Sequence, residues 1–165
     1  MDSWTIRKVQ EEDWPQIQAI YNQGIEDRIA TLEEQPKSLE EVKAWLQQRP
    51  SRYVVLVTIY EGEIRGWASL NPFSHRCAYT GVADLSVYVD RQWRGRGVGS
   101  RLLTALEAHA RTHDFYKIVL YTFPFNELGQ GLYRKHGFHE VGIFRNQGIL
   151  DGRFVDVMAM EKLLT

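Results

Sequence analysis

Residues 85–103 read LSVYVDRQWRGRGVGSRLL, and this stretch decides the fold. A β-branched strand, Val82–Val89, runs into a polar loop with glycines at 95, 97 and 99, and the loop leads straight into an amphipathic helix. Glycines let backbone N–H groups approach a ligand closely, and the N-terminus of the following helix offers unpaired N–H groups with a partial positive charge. The stretch therefore predicts an anion site suited to a pyrophosphate.

Two common phosphate-binding motifs do not match this stretch. The Walker pattern needs Gly-Lys-Ser/Thr after a longer spacer, and no lysine is present here. The dinucleotide pattern needs glycine where Ser100 stands, and an acidic residue at the end of the next strand, which instead reads Leu120–Phe123. A tight strand–helix turn without a ligand is the remaining alternative, although three alternate glycines exceed what a turn requires.

The composition is typical of one globular domain spanning residues 1–165, with 44% hydrophobic and 25% charged residues. A net charge of −1 argues against a general nucleic-acid or membrane partner. The single cysteine, Cys77, allows no internal disulfide and is expected to be buried and inert. No signal peptide is visible at Met1–Trp4, and the longest apolar stretch, Tyr53–Tyr60, is too short to cross a bilayer, so a cytoplasmic protein is expected.

Hydrophobic periodicity and turn signals predict the element order β-α-α-β-β-β-α-β-α-β-β. Asp13 is expected to cap the first helix and Gly24 to end it, while the strand near the end of the chain is expected over Val141–Phe144. Residues 71–78 read as a loop, and Asp151-Gly152 as a hairpin turn. This order predicts an α/β (α+β mixed) fold in which helices flank a mixed sheet.

The glycine loop, Arg94-Gly95-Arg96-Gly97-Val98-Gly99, resembles the Arg/Gln-x-x-Gly-x-Gly/Ala signature of the GNAT superfamily of N-acetyltransferases. A second segment, Asn126 followed by Tyr133 and then Gly137-Phe138, is similar to the family's Asn…Leu-Tyr-x-x-x-Gly-Phe segment. The element order also matches, so the resemblance covers almost the whole chain. It implies a GNAT-like fold with a central, mostly antiparallel sheet of about seven strands.

The resemblance implies that acetyl-CoA is the co-substrate. The loop amides of residues 95–100 would hold its pyrophosphate, and the preceding strand would bind the pantetheine arm like an added strand. The residues implied to bind acetyl-CoA are Val87, Tyr88, Val89, Arg94, Gly95, Arg96, Gly97, Val98, Gly99, Ser100 and Asn126. Asn126 would hydrogen-bond the pantetheine or the loop, or it is a turn residue after Pro124.

Two residues are candidates for the chemistry of acetyl transfer. Strand alternation places Asp84, Ser86 and Tyr88 on one face. Asp84 could act as general base, orient the ammonium of the acceptor, or simply pair with an arginine. A backbone N–H around Val87 would stabilise the carbonyl oxygen of the thioester as charge develops. Tyr133 could protonate the leaving thiolate, or it only packs the short helix on the sheet.

Within the superfamily the chain looks most like the phosphinothricin acetyltransferase-like group, on Ile20-Tyr21-Asn22, residues 72–79, and Asp151-Gly152 with Asp156. The group usually carries Glu at the position of Asp84, and a histidine it can carry near the last hairpin has no match. The implied acceptor is a small primary amine, such as phosphinothricin or methionine sulfoximine. Candidate acceptor-binding residues are Asn71, Phe73, Arg76 and Glu26, with Arg28 and Thr31 as weaker candidates.

Two other functions stay open from sequence. One is a protein or peptide N-acetyltransferase, and the other is a non-catalytic acyl-CoA-binding sensor, which would need neither Asp84 nor Tyr133. No metal is expected, because His109 and His113 have helical spacing but no third ligand in view. A homodimer is common in the resembling group and is possible here.

Overall fold

Seven strands and four α-helices follow the predicted order along residues 3–165, the part of the chain described by this computed structural model. Met1 and Asp2, part of the Met1–Trp4 segment in which no signal peptide is expected, lie outside the described residues. The elements are β1 (Thr5–Lys8), α1 (Trp14–Glu26), α2 (Leu39–Gln47), β2 (Val55–Tyr60), β3 (Glu63–Pro72), β4 (Val82–Val89), α3 (Val98–Thr112), β5 (Lys117–Thr122), α4 (Glu127–Lys135), β6 (His139–Leu150) and β7 (Arg153–Leu163).

The seven strands form one sheet in the order β1-β2-β3-β4-β5-β7-β6. Every neighbouring pair is antiparallel except β4 and β5, which run parallel. The antiparallel pairs β2–β3 and β6–β7 are hairpins, whereas β4 and β5 need the crossover helix α3. The predicted fold class, a mixed and mostly antiparallel seven-stranded sheet flanked by helices, is confirmed.

Helices cover both faces of the sheet, and strand alternation divides the core between them. On one face, Leu56 and Leu70 pack in a cluster with Leu102 of α3. On the other face, Val57 and Trp67 pack in a second cluster with residues of α1 and α2. The helices on both faces therefore bury the centre of the sheet.

Two predictions about α1 were wrong. The helix continues through Gly24 to Glu26, because this glycine serves close packing: a Cβ there would lie 3.1 Å from Cδ1 of Tyr88. The Asp13 carboxylate does not cap α1. It accepts hydrogen bonds from the Arg7 guanidinium at 2.6 and 3.0 Å and from the Gln10 N–H at 2.7 Å, and these lower the pKa of Asp13 although burial opposes them.

The structure also differs from the sequence predictions in the ends of two strands and in the exposure of Cys77. Strand β3 extends to Pro72, and β6 extends from His139 to Leu150, well beyond the predicted segment. The pairing of β6 with β7 is irregular between Phe144 and Gly148, and this interruption hid the second half of the strand in the sequence pattern. Cys77 is exposed rather than buried, since it lies in a short 3₁₀ turn after β3.

Residues 3–165 contain neither a membrane-spanning helix nor a cluster of metal-ligating side chains. None of the helices within residues 3–165 has the length and apolar character needed to cross a membrane. The same residues contain no group of three or more His, Cys, Asp or Glu side chains placed to hold a metal ion. His109 and His113 stack ring on ring, with centroids 3.8 Å apart.

Candidate active site

The candidate active site lies where the pairing between strands β4 and β5 ends. Their parallel ladder runs from the Val82–Lys117 pair to the Asp84–Val119 pair, whereas β4 continues to Val89. The later residues of β4 pair with β3 on their other side. The edge of β4 that faces β5 is therefore left without ladder partners after Asp84, and its peptide groups can hydrogen-bond an extended ligand as an added strand would.

A groove of about 160 Å³ follows this edge. It is bounded by the end of β4, the glycine loop, the start of α3 and the side of α4. The predicted acetyl-CoA residues that line it are Val87, Tyr88, Val89, Arg94, Gly95, Gly97, Val98, Gly99, Ser100 and Asn126. Tyr133 lines it as well, so the structure brings one of the two predicted catalytic residues to the same groove.

The three glycines of the loop have two different structural roles. Gly95 and Gly97 adopt left-handed φ angles of +76° and +85°, and nothing lies within 4 Å of where a Cβ would be. Gly99 lies in the first turn of α3, where a Cβ would come within 2.7 Å of Leu132. The first two glycines shape an open turn, and the third lets α4 approach α3 closely.

The loop ends at a helix N-terminus that can receive an anion. Gly97 is the N-cap of α3 and has no side chain to cap the helix, so the first backbone N–H groups have no side-chain partner. The hydroxyl of Ser100, one turn in, lies 2.6 Å from Nε2 of His136. Peptide N–H groups, a helix dipole and a hydroxyl together suit a pyrophosphate.

Two arginines near the groove, Arg91 and Arg94, are held in place by one carboxylate. The Arg94 guanidinium donates to Asp27 at 2.7 Å, and Arg91 donates to the same carboxylate. Hydrogen bonds from Arg91 and then Arg94 keep the pKa of Asp27 below its usual value, so the carboxylate stays charged. Asp27 thereby holds Arg94 at the groove.

Arg96 is the one predicted acetyl-CoA residue that does not line the groove. Its guanidinium lies over the ring of Trp93, 4.9 Å from the ring centroid. Arg101 lies over the ring of Trp4 at 4.6 Å. Both are cation–π contacts, which favour the aromatic face over free solvation.

Asp84 lies at the point where the β4–β5 ladder ends, and its side chain is half-buried. Burial raises the pKa of its carboxyl to about 6, although hydrogen bonds from the Asn71 side chain and the Leu85 backbone oppose the shift. The Asn71 amide donates to Asp84 at 3.3 Å and to Ser86 at 3.2 Å. No ion pair joins Asp84 to a basic side chain of residues 3–165, so the alternative of a simple arginine partner does not hold.

Tyr133 lies on α4, half-buried, with its ring edge-on to Phe138 at 6.1 Å. Burial and then the negative charge of Asp84 raise the pKa of Tyr133 to about 12. A small cavity of about 80 Å³ shares Tyr133 with the groove, and it shares Ser86 and Tyr121 with a cavity that Asp84 lines. The phenol therefore stays protonated at neutral pH and can donate a hydrogen bond.

Asn126 was predicted either to hydrogen-bond the ligand or to act as a turn residue, and its two side-chain atoms have different environments. Its side-chain oxygen accepts from the Gly129 N–H at 3.1 Å and so caps α4. Its amide nitrogen makes only long contacts, at 3.4 Å to Thr122 and 3.5 Å to the Ile29 carbonyl. That amide lines the groove, where a ligand carbonyl could accept a better hydrogen bond.

A cavity of about 290 Å³ lies at the end of the ladder and has Asp84, Tyr121 and Thr31 in its wall. We call it the Asp84 cavity. Phe73, Arg76 and Glu26 do not line this cavity or the groove. Phe73 lies edge-on to Tyr79 in the loop after β3, and Glu26 is paired with an arginine at 2.9 Å. Arg76 is exposed in the same loop as Phe73.

Sequence reasoning missed several residues of the site. Tyr121 could have been found, because a polar residue at the end of β5 must lie beside the end of the parallel strand β4. Asp27 gives no such signal, since its contact with Arg94 joins positions far apart in the chain. Trp67 reads as ordinary core, although it also lines a cavity beside Asn71.

Known proteins resemble the chain over nearly its full length. The L-methionine sulfoximine/L-methionine sulfone acetyltransferase of Pseudomonas aeruginosa is 33% identical, over 96% of this chain and 94% of that protein. The ribosomal-protein-alanine N-acetyltransferase structure from Brucella melitensis is 34% identical with a TM-score of 0.93, over 96% and 99% of the two chains. The Sinorhizobium meliloti phosphinothricin acetyltransferase, solved in complex with AcCoA, is 26% identical with a TM-score of 0.91, over 98% and 88%.

The family comparison agrees with the geometry of the groove. The model of the acetyltransferase (GNAT) family matches residues 8–138, which include the glycine loop and both ends of the β4–β5 ladder. A relative with acetyl-CoA bound has the same fold over almost the whole chain. The chain belongs to the acetyltransferase (GNAT) family and is an acetyl-CoA-dependent N-acetyltransferase.

Proposed function

We propose that this enzyme transfers the acetyl group of acetyl-CoA to the primary amine of a small amino-acid analogue. The observation that carries the proposal is the position of Asp84, a half-buried carboxylate with a raised pKa in the wall of a small cavity beside the groove. A cavity of about 290 Å³ suits a molecule of amino-acid size. The names of the relatives, which include acetyltransferases for methionine sulfoximine and for phosphinothricin, support the same acceptor class.

The proposed mechanism assigns one task to each part of the site. The pyrophosphate of acetyl-CoA lies on the loop of residues 95–100, and the pantetheine arm lies along the free edge of β4. A backbone N–H near Val87 donates to the carbonyl oxygen of the thioester as negative charge develops there. Asp84 accepts the proton of the ammonium, directly or through water, so that the neutral amine can attack. Tyr133 then donates a hydrogen bond to the leaving thiolate.

The Tyr133 assignment makes a testable prediction. Tyr133→Phe should lower kcat about 10- to 100-fold and leave the KM for acetyl-CoA nearly unchanged, because only the leaving group loses a hydrogen-bond donor. Steady-state kinetics with a free-thiol assay measures both constants. The phenyl ring preserves the contact with Phe138, so an unchanged kcat would mean that Tyr133 only packs α4 on the sheet.

The acceptor class is tested by a panel of amines in the same free-thiol assay. L-methionine sulfone, L-methionine sulfoximine and phosphinothricin should be acetylated on nitrogen, whereas a peptide bearing an N-terminal alanine should react at least about tenfold more slowly. Mass spectrometry of the products identifies the acetylated atom. Faster acetylation of the peptide would favour the protein-acceptor alternative, to which the name of the Brucella relative points. Binding of acetyl-CoA without turnover of any amine would favour the sensor.

We also propose an oligomeric state, a cellular location and a set of binding partners for the enzyme. The proposal includes a homodimer, supported by apolar side chains exposed on the edge strand β6, such as Val141 and Ile149, each 60% exposed. It includes the cytoplasm, where a single exposed cysteine, Cys77, would stay reduced. It includes no nucleic acid and no membrane surface as partner, in keeping with a net charge of −1.

A further inference from the structure

Asn71 joins the Asp84 carboxylate to hydrogen bonds that begin outside the site. It stands directly opposite Asp84 in the register of β3 and β4. Its side-chain nitrogen donates to Asp84 at 3.3 Å and to Ser86 at 3.2 Å. Its side-chain oxygen accepts from Arg49 at 2.8 Å and from Ser69 at 3.1 Å. Both hydrogens and both lone pairs of this amide are therefore used.

The chemistry of the partners allows one orientation of the Asn71 amide. A guanidinium has donors and no acceptor, so the atom of Asn71 that faces Arg49 must be the oxygen. An ionised carboxylate has acceptors and no donor, so the atom that faces Asp84 must be the nitrogen. Turning the amide over would replace both hydrogen bonds with repulsive contacts. Arg49 and the charged Asp84 thus fix the amide between them.

Arg49 lies in the segment after α2 and is itself held in one place. Its guanidinium donates to the backbone carbonyls of Tyr53 at 3.0 Å and Leu70 at 2.5 Å, and it lies over the ring of Trp45, 4.6 Å from the centroid. Burial lowers the pKa of Arg49 to about 10, so the group stays cationic at neutral pH. No carboxylate of residues 3–165 pairs with it. A half-buried cation without an opposite charge costs stability, which the packing of the fold alone does not explain.

The other titratable groups around Asp84 are neutral phenols or members of ion pairs. Burial raises the pKa of the phenols that line the Asp84 cavity or the small cavity beside it, which are Tyr21, Tyr88, Tyr121 and Tyr133. The charged side chains pair with one another, Lys117 with Glu161 on the same face of the sheet, and Lys37 with Glu33 and Glu41 in a cavity lined by Asn71 and Ser86. Asn71 therefore links Asp84 to a positive charge that no carboxylate balances.

We infer that Arg49 is a positioning residue of the reaction, which fixes the amide of Asn71 so that its N–H groups hold the Asp84 carboxylate ionised and in place beside the acceptor amine. This inference rests on the proposed function, in which Asp84 accepts the ammonium proton. It adds a residue that lines neither the groove nor the Asp84 cavity. A hydrogen bond to the charged form of a carboxyl favours that form, so Asp84 should become harder to ionise when the amide is released.

The first test is the pH profile of kcat/KM for the amine. Arg49→Met should move the acid limb up by about one pH unit, because a free Asn71 amide gives Asp84 a weaker hydrogen bond. At a pH of about 6, kcat/KM should fall about fivefold, and at a pH of about 8.5 it should stay within about twofold of the wild-type value, since Asp84 is ionised there in both proteins. Loss of folded protein would lower kcat/KM equally at every pH and would not move the limb.

Two further variants are the controls for this test. Arg52→Met removes an arginine in a similar environment, which donates to the carbonyls of His113 and Asp114 and lies over the ring of Phe115 at 4.0 Å. It should leave the acid limb in place. Arg49→Lys keeps a charged donor for the Asn71 oxygen and should restore the limb to within about 0.3 pH unit of the wild-type position, although it loses the fork of the guanidinium. An unmoved limb in Arg49→Met, or an equal shift in Arg52→Met, would overturn the inference.

The route through Asn71 is tested by a double-mutant cycle. Asn71→Leu has a similar volume and no amide, and it should move the acid limb up at least as far as Arg49→Met does. In the Asn71→Leu background, Arg49→Met should move the limb by less than about half of its shift in the wild-type background. Equal shifts in the two backgrounds would mean that Arg49 acts on Asp84 by its charge alone, and they would overturn the inference.

NMR titration of isotope-labelled aspartate carboxyls measures the same effect without turnover, and Asp84→Asn identifies the signal. The Asp84 signal should titrate at a higher pH in Arg49→Met than in the wild-type protein. If the wild-type enzyme is active and this signal does not move, the inference fails and the proposed function stands. Failure of the wild-type enzyme to acetylate any of the tested amines would overturn the proposed function and this inference with it.

Discussion

Gly97→Asp should weaken acetyl-CoA binding about a hundredfold or more, as measured by isothermal titration calorimetry. Gly97 begins α3 with φ at +85°, and its open side faces space with no heavy atom within 4 Å of a Cβ. The new carboxylate would lie where the loop is proposed to hold the pyrophosphate. Two like charges about 5 Å apart repel by roughly 3 kcal/mol in a partly exposed site, which corresponds to more than a hundredfold in affinity.

Gly97→Asn is the matched control for that variant. Asparagine has the shape of aspartate without its charge, and both tolerate left-handed φ better than most residues. The control should bind acetyl-CoA about tenfold more weakly at most, through backbone strain of about 1 kcal/mol and partial steric block. Thermal unfolding should show both variants folded. If the aspartate variant binds as tightly as the wild-type protein, the loop of residues 95–100 is not the pyrophosphate site.

The order of the elements could be predicted because it depends on short-range patterns. Alternation identified β4, and its predicted bounds, Val82–Val89, are those observed. Gly137, with φ at +89°, follows the C-cap of α4, and Asp151-Gly152 forms the predicted hairpin turn. Ser38 caps α2 by accepting from the Glu41 N–H. In each case the interactions that determine the backbone conformation are made by residues within four positions of one another in the sequence.

The groove was also accessible from sequence, since one continuous segment, residues 87–100, supplies half of the residues that line it. The acceptor side was not, because distant segments build it. Arg28 donates to Asp151 at 2.9 Å and so ties the loop after α1 to the β6–β7 turn, a contact that no local pattern indicates. Glycine often ends a helix, which is why Gly24 was predicted to end α1. In the structure, Gly24 instead lies inside the helix because the ring of Tyr88 packs closely against it. Phe73 and Arg76 lie in the loop after β3, and neither lines the groove or the Asp84 cavity.

Asp84→Asn should lower kcat/KM for the amine about 10²- to 10⁴-fold, the range expected for loss of a general base. In the wild-type enzyme, kcat/KM should fall as the pH drops below about 6, because the carboxylate must be unprotonated to accept the proton. The variant should lose this acid limb of the pH profile. The affinity for acetyl-CoA, measured by calorimetry, should not change, because Asp84 does not line the groove.

The same substitution should stabilise the fold, and the sign follows from the raised pKa. The folded protein binds the Asp84 proton more tightly than the unfolded chain does, since burial raises the pKa from 3.8 to about 6. The stability contributed by the protonated form is complete below pH 3.8 and is lost as the pH rises through about 6. Above that pH the buried charge destabilises the protein, so Asp84→Asn should raise the free energy of unfolding by roughly 1–3 kcal/mol near pH 8 and by far less near pH 4.

Urea unfolding of both proteins at the two pH values measures this difference. A residue kept for stability alone would show the opposite sign, because its removal would destabilise the fold. Loss of activity together with a gain in stability therefore identifies a carboxylate that is retained for chemistry. A variant that is both fully active and no more stable near pH 8 would remove Asp84 from the mechanism and leave the Asp84 cavity without a base.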